Sequence, residues 1–233
     1  MSAPTLVTVS SPDFRVGTEV MLASFRAANP WFDGEILILH SRLSPADEAA
    51  LAATFPHLSC RTASPRLAAA IDDLVAAHPH LATRRDRFLS LETLLLPPGG
   101  KYLFCDSDLL FRGDIAPLLA IDAPLVAAPD AAMLRGNVRA ADTLAEVTPP
   151  ADGAGAASFN AGLLVHDPAA AGAATADALW PLLDPEAWSR VADRHRLVRE
   201  ARPAVRHHQV EFGADEVDAV AQQQVPHRLV GVL

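Results

Sequence analysis

The sequence predicts an α/β domain built on a largely parallel, doubly wound sheet. Short apolar runs rich in β-branched and aromatic residues alternate with segments of helical periodicity, and Gly, Pro, Asn, Asp and Ser punctuate the boundaries. Half of the 233 residues are hydrophobic, enough for one sizeable core, so residues 1–233 read as a single domain. In sheets of this kind ligands bind outside the carboxyl ends of the strands. The residues that follow each apolar run are therefore the first candidates for a site.

Leu6 to Val9 is the first strand-like run, and Ser10, Ser11, Pro12 and Asp13 then supply turn and cap residues. Val16, Val20, Met21, Leu22 and Phe25 recur at helical spacing until Asn29-Pro30 stops the pattern. Gly34 to His40 predicts a second strand, Pro45 to Phe55 a helix starting near Ser44, and Leu58 to Arg61 a third strand. Between Arg66 and His78, Leu67, Ile71, Leu74 and Val75 share a helical face that Pro79 ends. A second helix over 82–96 carries Phe88, Leu91, Leu94 and Leu95, with Arg84, Arg85 and Arg87 at its start. Pro97 to Gly100 punctuates the chain before the apolar run Tyr102 to Cys105.

Leu125 to Ala128 is another buried run, ending in Pro129-Asp130. A short helix over 139–147, a small-residue loop over 149–157, a strand at Leu163 to Val165 and an alanine-rich helix from Pro168 to Trp180 follow. Residues 190–206 are locally basic, 215–220 read as a last helix, and Val225 to Leu233 is strand-like towards its end. Trp180 and Trp188 are expected to pack in the core or against a partner rather than to form ligand platforms.

Acids exceed bases to give a formal charge of -9, which argues against a partner bound through a nucleic-acid backbone. Cys60 and Cys105 lie in apolar runs and are expected as core thiols of a reducing, cytoplasmic setting. Neither a basic leader nor an apolar run of bilayer-spanning length is present, so no integral membrane segment is expected. The nine histidines are scattered without metal-ligand spacing.

The most informative stretch is Lys101 to Ile115. A buried strand, Tyr102 to Cys105, runs directly into Asp106-Ser107-Asp108. Two carboxylates one residue apart at a strand end can converge on one face, and that pair is costly to hold without a cation. Mn²⁺ or Mg²⁺ suits such oxygens and leaves positions free for phosphate. By itself, Asp-x-Asp fits a solvated acidic turn equally well. Downstream, Phe159-Asn160-Ala161-Gly162 leads into a strand; the small residues permit close backbone approach to a ligand, and an amide can both donate to and accept from sugar hydroxyls.

The ordered pair, Asp106-Ser107-Asp108 with Phe111-Arg112-Gly113-Asp114-Ile115 and then Phe159-Asn160-Ala161-Gly162-Leu163, resembles the signature of glycosyltransferase family 8, and the resemblance extends over nearly the whole chain. It implies a GT-A fold and a metal-dependent, configuration-retaining transfer of a hexosyl unit from a nucleotide sugar, most often a UDP-sugar, to a saccharide or lipid-linked acceptor. The metal would be Mn²⁺ or Mg²⁺ on Asp106 and Asp108. The donor would be contacted by Ser11, Phe14, Arg87, Asp106, Ser107, Asp130, Asn160, Ala161, Gly162, Asp215 and Glu216, with Asn160 and Asp215 nearest the chemistry.

Some positions depart from the family pattern. Ser11 and Pro12 stand where Asp is common, and Ser11 and Asp13 also suit a helix cap. Glu216 replaces a Gln. The family's His-x-Gly-x-x-Lys-Pro-Trp element, which supplies a third metal ligand and a diphosphate lysine, is absent, so a shortened member with weak turnover is expected unless His207, His208 or His227 replaces that ligand. Arg84, Arg85 and Arg87 can equally be a solvated helix face, and Asp130 a plain loop acid. A nucleotide-sugar-binding module without catalysis is the alternative function. Haloacid-dehalogenase phosphatases also place Asp-x-Asp after an apolar strand, but near the N-terminus and with Thr or Val where Leu110 stands here.

Overall fold

A computed structural model describes residues 3–129 and 159–188. Strand β1 (Thr5–Val9) leads through a 3₁₀ turn (Pro12–Phe14) into α1 (Arg15–Ala28), then β2 (Ile36–Leu39), α2 (Pro45–Thr54), β3 (Leu58–Arg61) and α3 (Pro65–Ala77). A long 3₁₀ stretch (Pro79–Leu95) precedes β4 (Tyr102–Cys105), α4 (Ala116–Leu119) and β5 (Leu125–Pro129). The second described segment contains β6 (Phe159–His166), α5 (Pro168–Ala171), α6 (Ala173–Leu179) and a 3₁₀ turn (Trp180–Leu183).

The six strands form one sheet in the order β3-β2-β1-β4-β6-β5. β1 to β4 are mutually parallel where they pair, whereas β6 runs antiparallel to both β4 and β5. Both faces are covered, which is why Ile36-Leu37-Ile38-Leu39 of β2 is an unbroken, fully buried apolar run. Val7, Leu37, Leu39 and Phe104 pack against α3 and the 3₁₀ stretch, while Leu6, Ile36, Ile38, Leu103 and Cys105 pack against α1 and α2. This alternation is the period-two geometry of a strand.

Local signals account for most of the helix starts. At α2, Ser44 Oγ accepts from Asp47 N while the Asp47 carboxylate accepts from Ser44 N, a reciprocal capping box with Pro45 in the first turn. Ordinary helical spacing sets the inward face of α3, where Leu67, Ile71 and Leu74 are completely buried.

The structure corrects several expectations drawn from periodicity. In α1, Val16 and Val20 face out, at 64% and 55% exposure, and the buried face is Thr18, Met21, Leu22 and Phe25. Thr18 can occupy an apolar position because its hydroxyl is bonded to Phe14 O and Ser10 Oγ. Residues 82–96 do not form an α-helix; 3₁₀ winding begins at Pro79, which initiates this element as well as ending α3. The leucine-rich half of that stretch buries neighbours in a row, including Phe88, Leu89, Leu91, Glu92 and Thr93, so no α-helical stripe exists. The alanine-rich helix is two short helices, separated at Gly172, whose φ of 72° is a left-handed conformation suited to glycine. β6 starts at Phe159, ahead of the expected Leu163. Cys105 is a core thiol as expected, but Cys60 is only half-buried.

Burial is polar in a few places, and each has a local answer. Glu92, 4% exposed, accepts from Arg61 Nη2, Ser64 N and Ser64 Oγ at 2.9–3.1 Å, tying the 3₁₀ stretch to the exit of β3. His166 is buried within β6 between its partners Tyr102 and Leu125. Burial pushes its pKa below the ordinary 6.5, while a hydrogen bond to the Pro124 backbone and the charge of Asp167 pull the other way. The folded state therefore holds this ring neutral, and the unfolded state takes up the extra proton as pH falls below about 6.5. The stability that depends on a neutral His166 is complete above that pH and is lost as pH falls towards the depressed folded value. Urea denaturation at pH 7.5 and 5.5 should show a smaller pH-dependent loss in His166→Gln than in the parent chain; an equal loss would assign the effect to other histidines.

Candidate functional site

β1 and β4 are neighbours in the sheet, and the chain order reverses between them, since β1 is followed spatially by β2 and β3 on one side and by β4 on the other. That reversal opens a crevice at their carboxyl ends. Ser10 and Ser11 leave β1 there, and Asp106 leaves β4.

The exit of β1 is held rigidly. Thr18 Oγ1 donates to Phe14 O, so its single proton is used and Ser10 Oγ is the donor in the 2.7 Å bond between the two buried hydroxyls. Ser11 occupies the N-cap position of the Pro12–Phe14 turn, but its side chain makes no capping bond. The Phe14 ring lies over Gly17, where any β-carbon would collide with it, and remains 41% exposed at the rim. A flat aromatic face is thereby presented beside the crevice.

At β4 the two sequence motifs meet. Asp106 N donates to Gly162 O at 2.8 Å, extending the antiparallel ladder in which Cys105 pairs with Leu163. On its other edge, β6 departs from regular pairing: Ala127 opposes Leu164, whereas Ala128 opposes Asn160. Ala161, Gly162 and Leu163 thus form a bulge against β5, next to the first aspartate. Ala161 is exposed and Gly162 buried.

Alternation along β4 places Asp106 on the face of Phe104, towards the 3₁₀ stretch that carries Arg87. Its carboxylate keeps an open side to solvent, yet the surrounding chain removes enough water to raise its pKa; the charge of Asp108 adds to the rise, and the Arg87 guanidinium opposes it. Arg87 and Asp108 are exposed, with Ser107 half-buried between the aspartates. Asp106, Asp108 and Arg87 are therefore electrostatic neighbours. Beneath them Cys105 is buried, its thiol 3.7 Å from Met21 Sδ and its pKa driven far up by burial, so it is core and not a nucleophile. Burial, and then the charge of Glu48, pushes the Cys60 thiol up to about 11.

Among the described residues, no group of three or more His, Cys, Asp or Glu side chains is arranged to hold a metal ion. Asp106 and Asp108 offer two carboxylates, and the raised pKa of Asp106 is the signature of negative charge held at a cost that a cation would relieve. Asp130, Asp215 and Glu216 lie outside the described residues, as do His207, His208 and His227. For Asn160, the backbone position in β6 is described.

The downstream half of the first motif is structural, which periodicity could not reveal. Phe111 N donates to Ser24 Oγ at 3.1 Å, and Ile115 N donates to Asn29 Oδ1 at 2.8 Å. Buried Asn29 also donates from Nδ2 to Phe25 O at the end of α1. Trp31 Nε1 donates to Asp114 Oδ1, which in turn accepts from Ala116 N at the start of α4. Phe111 packs edge-on to Phe25 with centroids 5.0 Å apart. Ser24, Asn29 and Trp31 thus clamp the loop after the aspartates onto α1. The signal for Asn29 was only a polar residue at a helix end.

No protein-family model matches this sequence, and no curated protein is significantly similar to it. Solved structures are similar in fold. The galactosyltransferase LgtC, in complex with donor and acceptor sugar analogues, aligns at 20% identity over 70% of this chain and 57% of its own, with a TM-score of 0.52. An active-site glutamine-to-glutamate mutant of LgtC aligns at 21% identity over the same shares, with a TM-score of 0.50. The chain thus spans little more than half the length of these structures. Its sheet and helices have the GT-A glycosyltransferase architecture.

The clamp leads to a direct test. Asn29→Ala leaves the buried N–H of Ile115 without its acceptor, and should destabilise the fold by about 1–3 kcal/mol in urea denaturation. Asn29→Leu, which restores the volume but no acceptor, should not recover the loss; recovery would show that packing, and not the Ile115 bond, is what the side chain contributes.

Proposed function

We propose that this chain is a metal-dependent, retaining glycosyltransferase that moves a hexosyl unit from a UDP-sugar to an acceptor hydroxyl. The observation that carries the reading is the hydrogen bond between Asp106 and Gly162, which brings two motifs more than fifty residues apart to one point at the switch crevice. The GT-A architecture supports the same class, although fold alone does not assign an activity.

In this reading Phe14 stacks on the nucleoside base from its seat over Gly17, with Ser11 beside it. Asp106 and Asp108 hold Mn²⁺ or Mg²⁺. The ion would supply positive charge where the diphosphate leaving group gains negative charge. Arg87, already close enough to influence Asp106, donates to the diphosphate. Ser107, half-buried between the two aspartates, contacts the donor by resemblance to family 8. Ala161 and Gly162 let the sugar approach the β6 bulge closely, and Asn160 hydrogen-bonds to its hydroxyls. Asp130, Asp215 and Glu216 complete the sugar side by resemblance to family 8, with Asp215 near the reacting carbon. The bond from the anomeric carbon to the diphosphate breaks, the bond to the acceptor oxygen forms with configuration kept, and the acceptor loses its proton.

Two measurements test this. UDP binding by calorimetry should strengthen on adding Mn²⁺, and Asp106→Asn or Asp108→Asn should each weaken Mn²⁺-dependent binding at least about tenfold, since even groups that only orient metal ligands are worth that much. Unchanged affinity in both variants would remove the metal assignment. Proton NMR of a fresh reaction on an α-linked UDP-hexose should show the α-configured product first; the β anomer appearing first would exclude retention.

A further inference from the structure

A second polar cleft lies one strand away, where β2 leaves the sheet. It encloses about 550 Å³ and is lined by Ser41, Arg42, Ala82, Thr83, Arg85 and Asp86. Its wall is organised around Asp86. One carboxylate oxygen accepts from Ser41 Oγ at 2.7 Å and sits 3.7 Å from Arg85 Nη1, while the other lies 3.4 Å from Arg42 Nη2. Arg85 is braced from behind by Asp72, which accepts from its Nε and Nη2 at 2.9 and 2.6 Å. Two guanidinium groups from different elements are thus held at one cleft by acids that bond only part of their N–H donors.

The cleft is locally neutral in a chain whose formal charge is -9, because Arg42 and Arg85 offset Asp72 and Asp86. Surface ion pairs alone explain little, because exposed pairs add almost no stability; Arg42 is 66% exposed on its side chain, and its contact with Asp86 is long. The cleft is also correctly placed for a ligand, at the carboxyl end of a parallel strand. Two strand spacings separate it from Asp106, roughly 10 Å across the edge of the sheet. That distance separates it from a diphosphate held at Asp106 and Asp108, yet lies within the reach of one saccharide ligand.

We propose that this cleft is an oxyanion subsite, in which Arg42 and Arg85, with the hydroxyl of Thr83, receive a phosphate or carboxylate group carried by a saccharide. That the carrier is a saccharide rests on the glycosyltransferase reading; anion capture by the cleft does not.

The test uses the whole chain without Mn²⁺ or nucleotide, titrated calorimetrically at low salt with glucose 6-phosphate, glucuronate, inorganic phosphate and glucose. Glucose 6-phosphate or glucuronate, or both, should bind, glucose should not, and Arg42→Gln should weaken the bound anion about tenfold, as expected for one charge-assisted hydrogen bond. Arg84→Gln, next to Arg85 in the 3₁₀ stretch but not lining the cleft, should change binding little, and Asp106→Asn should leave it intact. Absence of binding by both charged sugars and by inorganic phosphate would overturn the subsite. So would equal weakening by Arg84→Gln and Arg42→Gln, which would mean a diffuse field. Inorganic phosphate binding as tightly as glucose 6-phosphate would overturn the saccharide half alone. Anion binding that persists while Mn²⁺ and UDP fail to bind would sink the transferase reading and leave the subsite standing.

Discussion

The site depends on one rung of the sheet, the 2.8 Å bond from Asp106 N to Gly162 O. It is where the parallel half of the sheet, grown from β1 to β4, joins the antiparallel pair β5 and β6. Without β6 the carboxyl end of β4 would be an edge, and its aspartates would leave into solvent with no opposing wall. With β6 in place, the Asp-x-Asp turn faces the Asn-Ala-Gly bulge across a single ladder. A buried backbone pair cannot be surrendered cheaply, so the geometry of the two motifs is coupled.

The remaining scaffold serves to hold that rung and its loop still. Phe25 of α1 stacks edge-on with both Phe32 and Phe111, giving the loop after Asp108 an apolar anchor. Ser24, Asn29 and Trp31 then take up the polar groups of the same loop. On the opposite face, buried Glu92 fastens the 3₁₀ stretch to the end of β3, which in turn fixes where Arg85, Asp86 and Arg87 can stand. Asp106 and Asp108 thus stand beyond the end of β4, Phe14 beyond the end of β1, and Arg42 and Arg85 with their aspartate partners beyond the end of β2.

The electrostatics differ between the two strand ends. Asp106 is pressed towards its protonated form by partial burial and by Asp108, with the Arg87 guanidinium opposing the shift. A few residues earlier in the same 3₁₀ stretch, Arg85 is balanced by Asp72 and Asp86.

Much of this was legible from the sequence. Alternating apolar runs and helical periodicities specified the α/β class because strands buried on both faces must be nearly continuous in apolar residues, as in Ile36 to Leu39. The capping box at Ser44 and Asp47 was legible for the same local reason. So were both motifs, because their chemistry resides in residue types at fixed spacing. What neighbours in sequence could not decide was anything set by a partner far along the chain. Thr18 replaces Val16 and Val20 on the buried face because Ser10 satisfies its hydroxyl; Asn29 is a buried clamp because Ile115 lies 86 residues away; Asp86 is an anchor because Ser41 and Arg42 reach it from β2. The 3₁₀ winding of Pro79–Leu95 likewise reflects burial on several sides, which erases the helical stripe that periodicity needs. Composition and spacing determined which elements and which reactive groups exist, while tertiary packing alone decided which polar groups are paired, and therefore which remain free to meet a ligand.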